Sequence, residues 1–187
     1  FFLENRDLFA MFGFPGTRPF FSRQIGLADT SLDQSQRYAR VPILYGARLS
    51  GKVNDKWRIG LLNMQTRQMD ISENNVLPAA NFTVATVQRK VFARSAISAI
   101  YADKEQFLNQ LTETQAARFQ PWNRVAGLEF NIYSQDNHWE TESYYHRSYS
   151  PDPQQRGASM AQFIGYSVRK GDIRVGLQRT DTTYTAD

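Results

Sequence analysis

Four stretches of this chain alternate apolar and polar residues with a period of two, and each is folded over a short polar turn. Successive side chains of a β-strand point to opposite faces, so a period of two that stays in step across a turn fixes both the element and its pairing. The cleanest case pairs residues 43–53 with 57–66 over Asn54-Asp55-Lys56. There Ala47, Leu49, Gly51 and Val53 share a face with Trp57, Ile59 and Leu61, while Arg48, Ser50, Lys52 and Arg58 share the other. A second hairpin, 81–89 with 95–101, is less regular because Val84 and Val87 fall on opposite faces. A third pairs 124–133 with 138–147 over Ser134-Gln135-Asp136-Asn137 and sets Ala126, Leu128, Phe130 and Ile132 against Gly127, Glu129, Asn131 and Tyr133. The fourth, 158–169 with 172–180, turns at Lys170-Gly171 and places Ile164, Tyr166 and Val168 beside Ile173, Val175 and Leu177, with Arg174 and Gln178 on the far side.

The connections between hairpins are of another kind: 65–80, 102–122 and 148–157 are long and polar, although 103–117 could form a short loop helix. Tight turns that alternate with long loops are the habit of outer-membrane β-barrels, whereas a soluble sandwich spreads its loop lengths more evenly. No run approaches the roughly 18 to 20 apolar residues of a membrane helix. A barrel strand alternates lipid-facing and lumen-facing residues and leaves no hydropathy peak, in keeping with the negative mean hydropathy. Nine Tyr and three Trp supply rings of the kind that gather at membrane interfaces. The fold expected is therefore all-β: an antiparallel transmembrane β-barrel of the outer-membrane type, of which this chain is part of a larger whole. Trp57-Arg58-Ile59-Gly60-Leu61 and Ile173-Arg174-Val175-Gly176-Leu177 each follow a tight turn and echo one another as a repeated unit.

Residues 1–40 read as a separate N-terminal segment that enters or caps the barrel, with a connector or first strand as the commoner alternative for such a stretch, and 41–187 as its hairpins, incomplete at the C-terminus. Phe12-Gly13-Phe14-Pro15-Gly16 is a breaker, and 18–26 reads as a short strand with basic flanks. Both ends of the chain read as cut within a longer protein. The blocks Phe1-Phe2-Leu3-Glu4, Pro19-Phe20-Phe21-Ser22-Arg23-Gln24-Ile25-Gly26, residues 41–53 (Val-Pro-Ile-Leu-Tyr-Gly-Ala-Arg-Leu-Ser-Gly-Lys-Val), Ala80-Asn81-Phe82-Thr83 and Arg94-Ser95-Ala96-Ile97 resemble, in order, the barrel domain of a Bacteroidota family of unknown function. Asn5 stands where that family has Gly after its acidic residue. The resemblance implies an outer-membrane barrel that follows a periplasmic domain similar to a carbohydrate-binding module, and it brings no catalytic residues.

The sharpest cluster of chemistry is acidic. Counting back from the third turn sets Asn131 opposite Glu140 and Glu129 opposite Glu142 on the polar face. Directly opposed like charges destabilise a sheet, so something must compensate them. Carboxylates about 5 Å apart are also the spacing of a retaining glycosidase, and a bound cation is a further alternative. A sugar cleft and a nucleophile lack support, so the pattern favours carboxylates of the lumen neutralised by basic neighbours. Arg48, Lys52, Arg58, Arg174 and Arg179 are the natural partners, and with Glu129, Glu140 and Glu142 they make the expected lumen lining. Seventeen of the 22 basic residues are Arg, whose planar fork suits carboxylates in confined places. Trp57, Trp139, Tyr145 and Tyr166 are the expected membrane girdle; Trp139 with Tyr144, Tyr145 and Tyr149 could instead stack on a saccharide.

Several classes fall away. The absence of cysteine removes thiol catalysis, thiolate metal sites and disulfide scaffolds. His138 and His146 stand roughly 27 Å apart on an extended strand and cannot share a metal. Neither a Gly-x-Ser-x-Gly nucleophile nor a phosphate-binding Gly loop is present. The net charge of +4 is too scattered for nucleic acid. The expectation is a non-enzymatic barrel of the bacterial outer membrane without cofactor or metal, bounded by lipid and lipopolysaccharide, that passes small solutes or anchors a periplasmic carbohydrate-binding-like domain. A subunit or scaffold in a complex with other outer-membrane proteins is the second reading, and a soluble all-β carbohydrate-binding module that takes a saccharide is the third.

Overall fold

A computed structural model describes residues 7–10, 12–13, 17–20, 25–27, 40–72 and 75–186. The described chain is all-β and antiparallel. Its strands are β1 (Ile43–Lys52), β2 (Trp57–Thr66), β3 (Met69–Ser72), β4 (Asn75–Leu77), β5 (Ala79–Val91), β6 (Ser95–Phe107), β7 (Trp122–Tyr133), β8 (Trp139–Tyr149), β9 (Ala158–Val168) and β10 (Gly171–Thr180). Eight of them form one sheet in the order β1-β2-β5-β6-β7-β8-β9-β10, and β3 with β4 makes a small hairpin within the first long connection. Every pairing in the sheet is antiparallel and joins strands consecutive in its chain order. Among the described residues β1 and β10 are free edges that do not pair with each other, so the sheet is open.

The expected hairpins are present, with adjustments at the turns. Asn54 closes the first one: its Oδ1 accepts the amides of Lys56 and Trp57, both at 2.9 Å, and the register through Lys52↔Arg58 is the expected one. The second hairpin is longer than its alternation suggests, because β6 runs on to Phe107. The loop helix shrinks accordingly to a single turn, α2 (Glu113–Ala116), capped by Thr112. In the third hairpin the turn is longer than four residues. The Ser134 hydroxyl and the His138 amide hold Asp136 at about 2, and Asn137 takes φ +60°. The pairing becomes Tyr133↔Glu140, Asn131↔Glu142 and Glu129↔Tyr144. In the fourth, Val168 pairs with Gly171, so the turn is Arg169-Lys170 rather than Lys170-Gly171. Both shifts are by two residues, which leaves every side chain on its expected face.

A line drawn straight across the strands does not stay level with the turns. It runs Trp57↔Arg89↔Ile97↔Phe130↔Ser143↔Gln162↔Leu177. Trp57 is the first residue of β2, whereas Leu177 lies 177 − 171 = 6 residues into β10. Six residues at about 3.3 Å each, over six strand spacings of about 4.8 Å, amount to a tilt of about 35°. The strands are therefore staggered steadily in one direction.

One face of the sheet is covered by the N-terminal segment. Leu8 and Phe9 of α1 (Asp7–Ala10), with Phe12, Phe20 and Ile25, are buried against Val84, Ile100, Ala102 and Val125. Each such burial contributes about 1.5–3 kcal/mol. This packing is the apolar core, and it lies on the face that the alternation marks as polar. Gly60 makes room for it, since a Cβ there would stand 2.6 Å from Phe9 Cζ. The expected strand at 18–26 is not formed at Arg18, Pro19 or Phe20, and residues 21–24 lie outside the described residues, as do 1–6. Leu27 makes one isolated antiparallel bridge to Arg40.

The other face is bare. Leu49, Leu61, Leu128, Ile164, Ile173, Val175 and Leu177 all point from it and are exposed, Leu177 by 77%. Replacing Gly60 by Val is expected to push the Phe9 ring off the sheet at a cost of about 1–3 kcal/mol. Amide exchange of residues 7–10 should rise by roughly ten- to a hundred-fold, and unchanged exchange would contradict the contact.

Candidate functional site

The chemistry of the covered face is concentrated where the N-terminal segment meets the strands. At one end Arg58 of β2 holds Asp7 by both nitrogens, Nη1 to Oδ2 at 2.6 Å and Nη2 to Oδ1 at 2.9 Å, and also donates to Gln88 Oε1. The Arg58 guanidinium keeps the Asp7 carboxyl below the usual carboxylate range. Beside it the Arg48 guanidinium lies 4.9 Å from the centre of the Phe9 ring, a cation–π contact. An aspartate in the first turn of α1 is thus clamped to the basic face of the first hairpin.

At the other end the Gly13 amide donates to Glu129 Oε1. Glu129 is buried, and His146, 0% exposed, brings its Nε2 to 3.2 Å from the same oxygen. That approach lacks hydrogen-bonding alignment, so the imidazole and the carboxylate meet by packing rather than by a directed bond. The Tyr144 ring stacks on His146 with centroids 4.6 Å apart. Its hydroxyl meets Thr17 Oγ1 at 2.8 Å and Ser159 Oγ at 3.4 Å, and Ser159 meets Thr180 Oγ1 at 2.9 Å. A chain of polar groups therefore crosses from the N-terminal segment through β8 and β9 to β10. His146 can lie flat because its cross-strand partner is Gly127, where a Cβ would fall 2.3 Å from the ring. Gly13, at φ +66°, also lies against the ring, since a Cβ built on it would stand 3.0 Å from His146 Cε1.

The two-residue shift in the third hairpin corrects the expected carboxylate pair. Glu129 faces Tyr144 instead of Glu142, and Asn131 faces Glu142 instead of Glu140. Two of the acids have separate partners: Glu129 accepts the Gly13 amide, and Glu140 meets Arg174, whose Nε lies 3.2 Å from its Oε1. The Glu129–Glu142 opposition on which the glycosidase alternative rested is absent.

Arg48, Lys52, Arg58, Glu129, Glu140, Glu142 and Arg174 all lie on the covered face, as their parity requires. Arg179 does not. It pairs with Met160 and shares the bare face with Val175 and Leu177, because it is odd-numbered in a strand whose even residues point to the covered side. Trp57, Trp139, Tyr145 and Tyr166 all lie on the bare face. Trp139 and Tyr166 are cross-strand partners 4.7 Å apart near the turns, with Trp57 beside the first turn. Tyr145 stands midway along β8. His138 sits in the third turn on Asp136, far from the buried His146 in role and environment. Among the described residues no group of three or more His, Cys, Asp or Glu could hold a metal.

Sequence reasoning left out Gly13, Thr17, Tyr144, His146 and Ser159 as partners. A signal existed for one of them: an unexplained Gly127 in mid-strand marks a close approach. No family model, no curated protein and no solved structure matches this chain.

The Asp7 clamp has a pH dependence with a definite sign. A carboxyl lowered in the folded state contributes stability above its unfolded value and loses it as pH falls through the folded value. Protection of residues 7–10 from amide exchange should be flat from pH 8 to 5 and fall below about 4. The Asp7→Asn variant should show less protection at pH 7 and a smaller fall on acidification. An equal pH response in both proteins would contradict the clamp.

Proposed function

We propose that this chain is a wall segment of a bacterial outer-membrane β-barrel whose lumen is filled by its own N-terminal segment. The observation that carries the reading is the bare face: exposed apolar side chains on β1, β2, β6, β7, β8, β9 and β10, with nothing packed on them among the described residues. A soluble sandwich would cover such a face with a second sheet about 10 Å away. Lipid covers it equally well, and then the opposite, polar face must turn inward. The stagger of about 35° agrees with this, being the tilt at which barrel strands run. So do Trp57, Trp139 and Tyr166 near the turn end of the bare face, where an aromatic belt would sit between hydrocarbon and headgroups. The membrane lipid and lipopolysaccharide are the partners this face requires.

The filled lumen favours anchoring over free passage. Five apolar side chains, the Asp7–Arg58 ion pair and the Gly13–Glu129 hydrogen bond seat the N-terminal segment against the inner side of the wall, which would obstruct a solute path while it stays. The family that the sequence resembles carries a carbohydrate-binding-like domain on the periplasmic side, and holding such a domain at the membrane is the role that fits a sealed barrel. Solute passage becomes the second reading only with the segment displaced.

Single-channel recording of the full-length protein in planar bilayers tests this. The native protein should be nearly silent, and the combined Asp7→Ala and Phe9→Ala variant should show discrete conductance steps. Large steps in the native protein would contradict the sealed lumen, as would a variant that is folded, inserted and equally silent.

A further inference from the structure

Resting on the barrel reading, we infer that the two edges of this sheet are extended by at least four further antiparallel strands of the same polypeptide, lying outside residues 43–180, so that the wall holds twelve strands or more. Eight strands can close on themselves, but the interior is then only wide enough for their own side chains. Here the covered face already carries a second layer. It includes the helical turn α1, with Leu8, Phe9, Phe12, Phe20 and Ile25 standing between it and the wall. A helix with its side chains is about 10–12 Å across. Cans of about eleven strands are the size that encloses a central helix, and bacterial barrels take even numbers, which gives about twelve as the smallest closure.

The edges themselves point the same way. All ten residues of β10 are exposed, including Arg174, Gly176 and Gln178 on the covered side, which none of the described N-terminal residues reaches. Nearly all of β1 is exposed as well. In hydrocarbon an unpaired strand edge loses several kcal/mol for each unsatisfied backbone group, so both edges must find partners there. Each pairing seen joins strands consecutive in the sheet's chain order, so the same rule carried outward assigns the next strand on each side to the same polypeptide. Those strands must be antiparallel, about ten residues long, and apolar on alternate positions in step with Tyr45, Leu49, Val175 and Leu177.

The test uses the full-length protein in lipid nanodiscs, with any cysteine outside these 187 cysteine-free residues replaced by serine. Tyr45→Cys and Leu177→Cys both lie on the bare face near the long-loop end, where an eight-stranded closure would make them neighbours. Spin labels on the pair, diluted with unlabelled protein, should report a separation on the order of 20 Å, the width of four intervening strands. Amides on both sides of β1 and β10 should be slow to exchange, and each particle should contain one copy of the chain. A separation under about 10 Å would mean closure at eight strands and overturn the proposal. So would free exchange of every second amide in β10, or two copies per particle. Failure of the membrane reading is told apart on the same protein: a label at Leu177 alone would then lack collisions with a lipid-soluble relaxation agent.

Discussion

A strand has two faces, and in this sheet the N-terminal segment takes one of them. Everything else follows from that occupation. With Leu8, Phe9, Phe12, Phe20 and Ile25 laid against Val84, Ile100, Ala102 and Val125, the face that carries most of the charge also becomes the face that carries the packed core. The apolar side chains of alternate positions are left on the other side, with none of the described residues packed over them. On the proposed barrel reading a bilayer would satisfy both faces, and the steady stagger of the strands would supply the tilt a barrel wall needs.

The charges on the covered face are managed locally. Arg58 neutralises Asp7, Arg174 neutralises Glu140, and Glu129 is held by an amide and an imidazole. These three acids are matched to a partner from a different element, which ties the N-terminal segment to β2 and β7 and ties β8 to β10. Catalysis by paired carboxylates needs two acids that share a reacting centre.

How far the fold was legible depends on parity. Face assignments such as Leu128 against Glu129, or Ile173 against Arg174, survive any slip by two residues, so they were correct even where the turns were misjudged. Register was not legible in the third hairpin, because Ser134, Asp136 and Asn137 build a longer turn from side-chain bonds that alternation does not reveal. The expected place of Arg179 failed for a simpler reason, since grouping it by charge ignored its odd position. The seating of the described N-terminal residues left no periodic trace at all. The Phe9 ring fits the gap over Gly60, and that gap exists only once the strands are side by side.

The central claim is that the bare face meets lipid while the covered face does not. Single cysteines at Ile173, Arg174, Val175, Gly176, Leu177 and Gln178, each carrying a fluorophore, read this directly in vesicles containing brominated acyl chains. The account predicts quenching that alternates along β10, strong at 173, 175 and 177 and weak at 174, 176 and 178. Uniform weak quenching along the strand, or the opposite alternation, would contradict it.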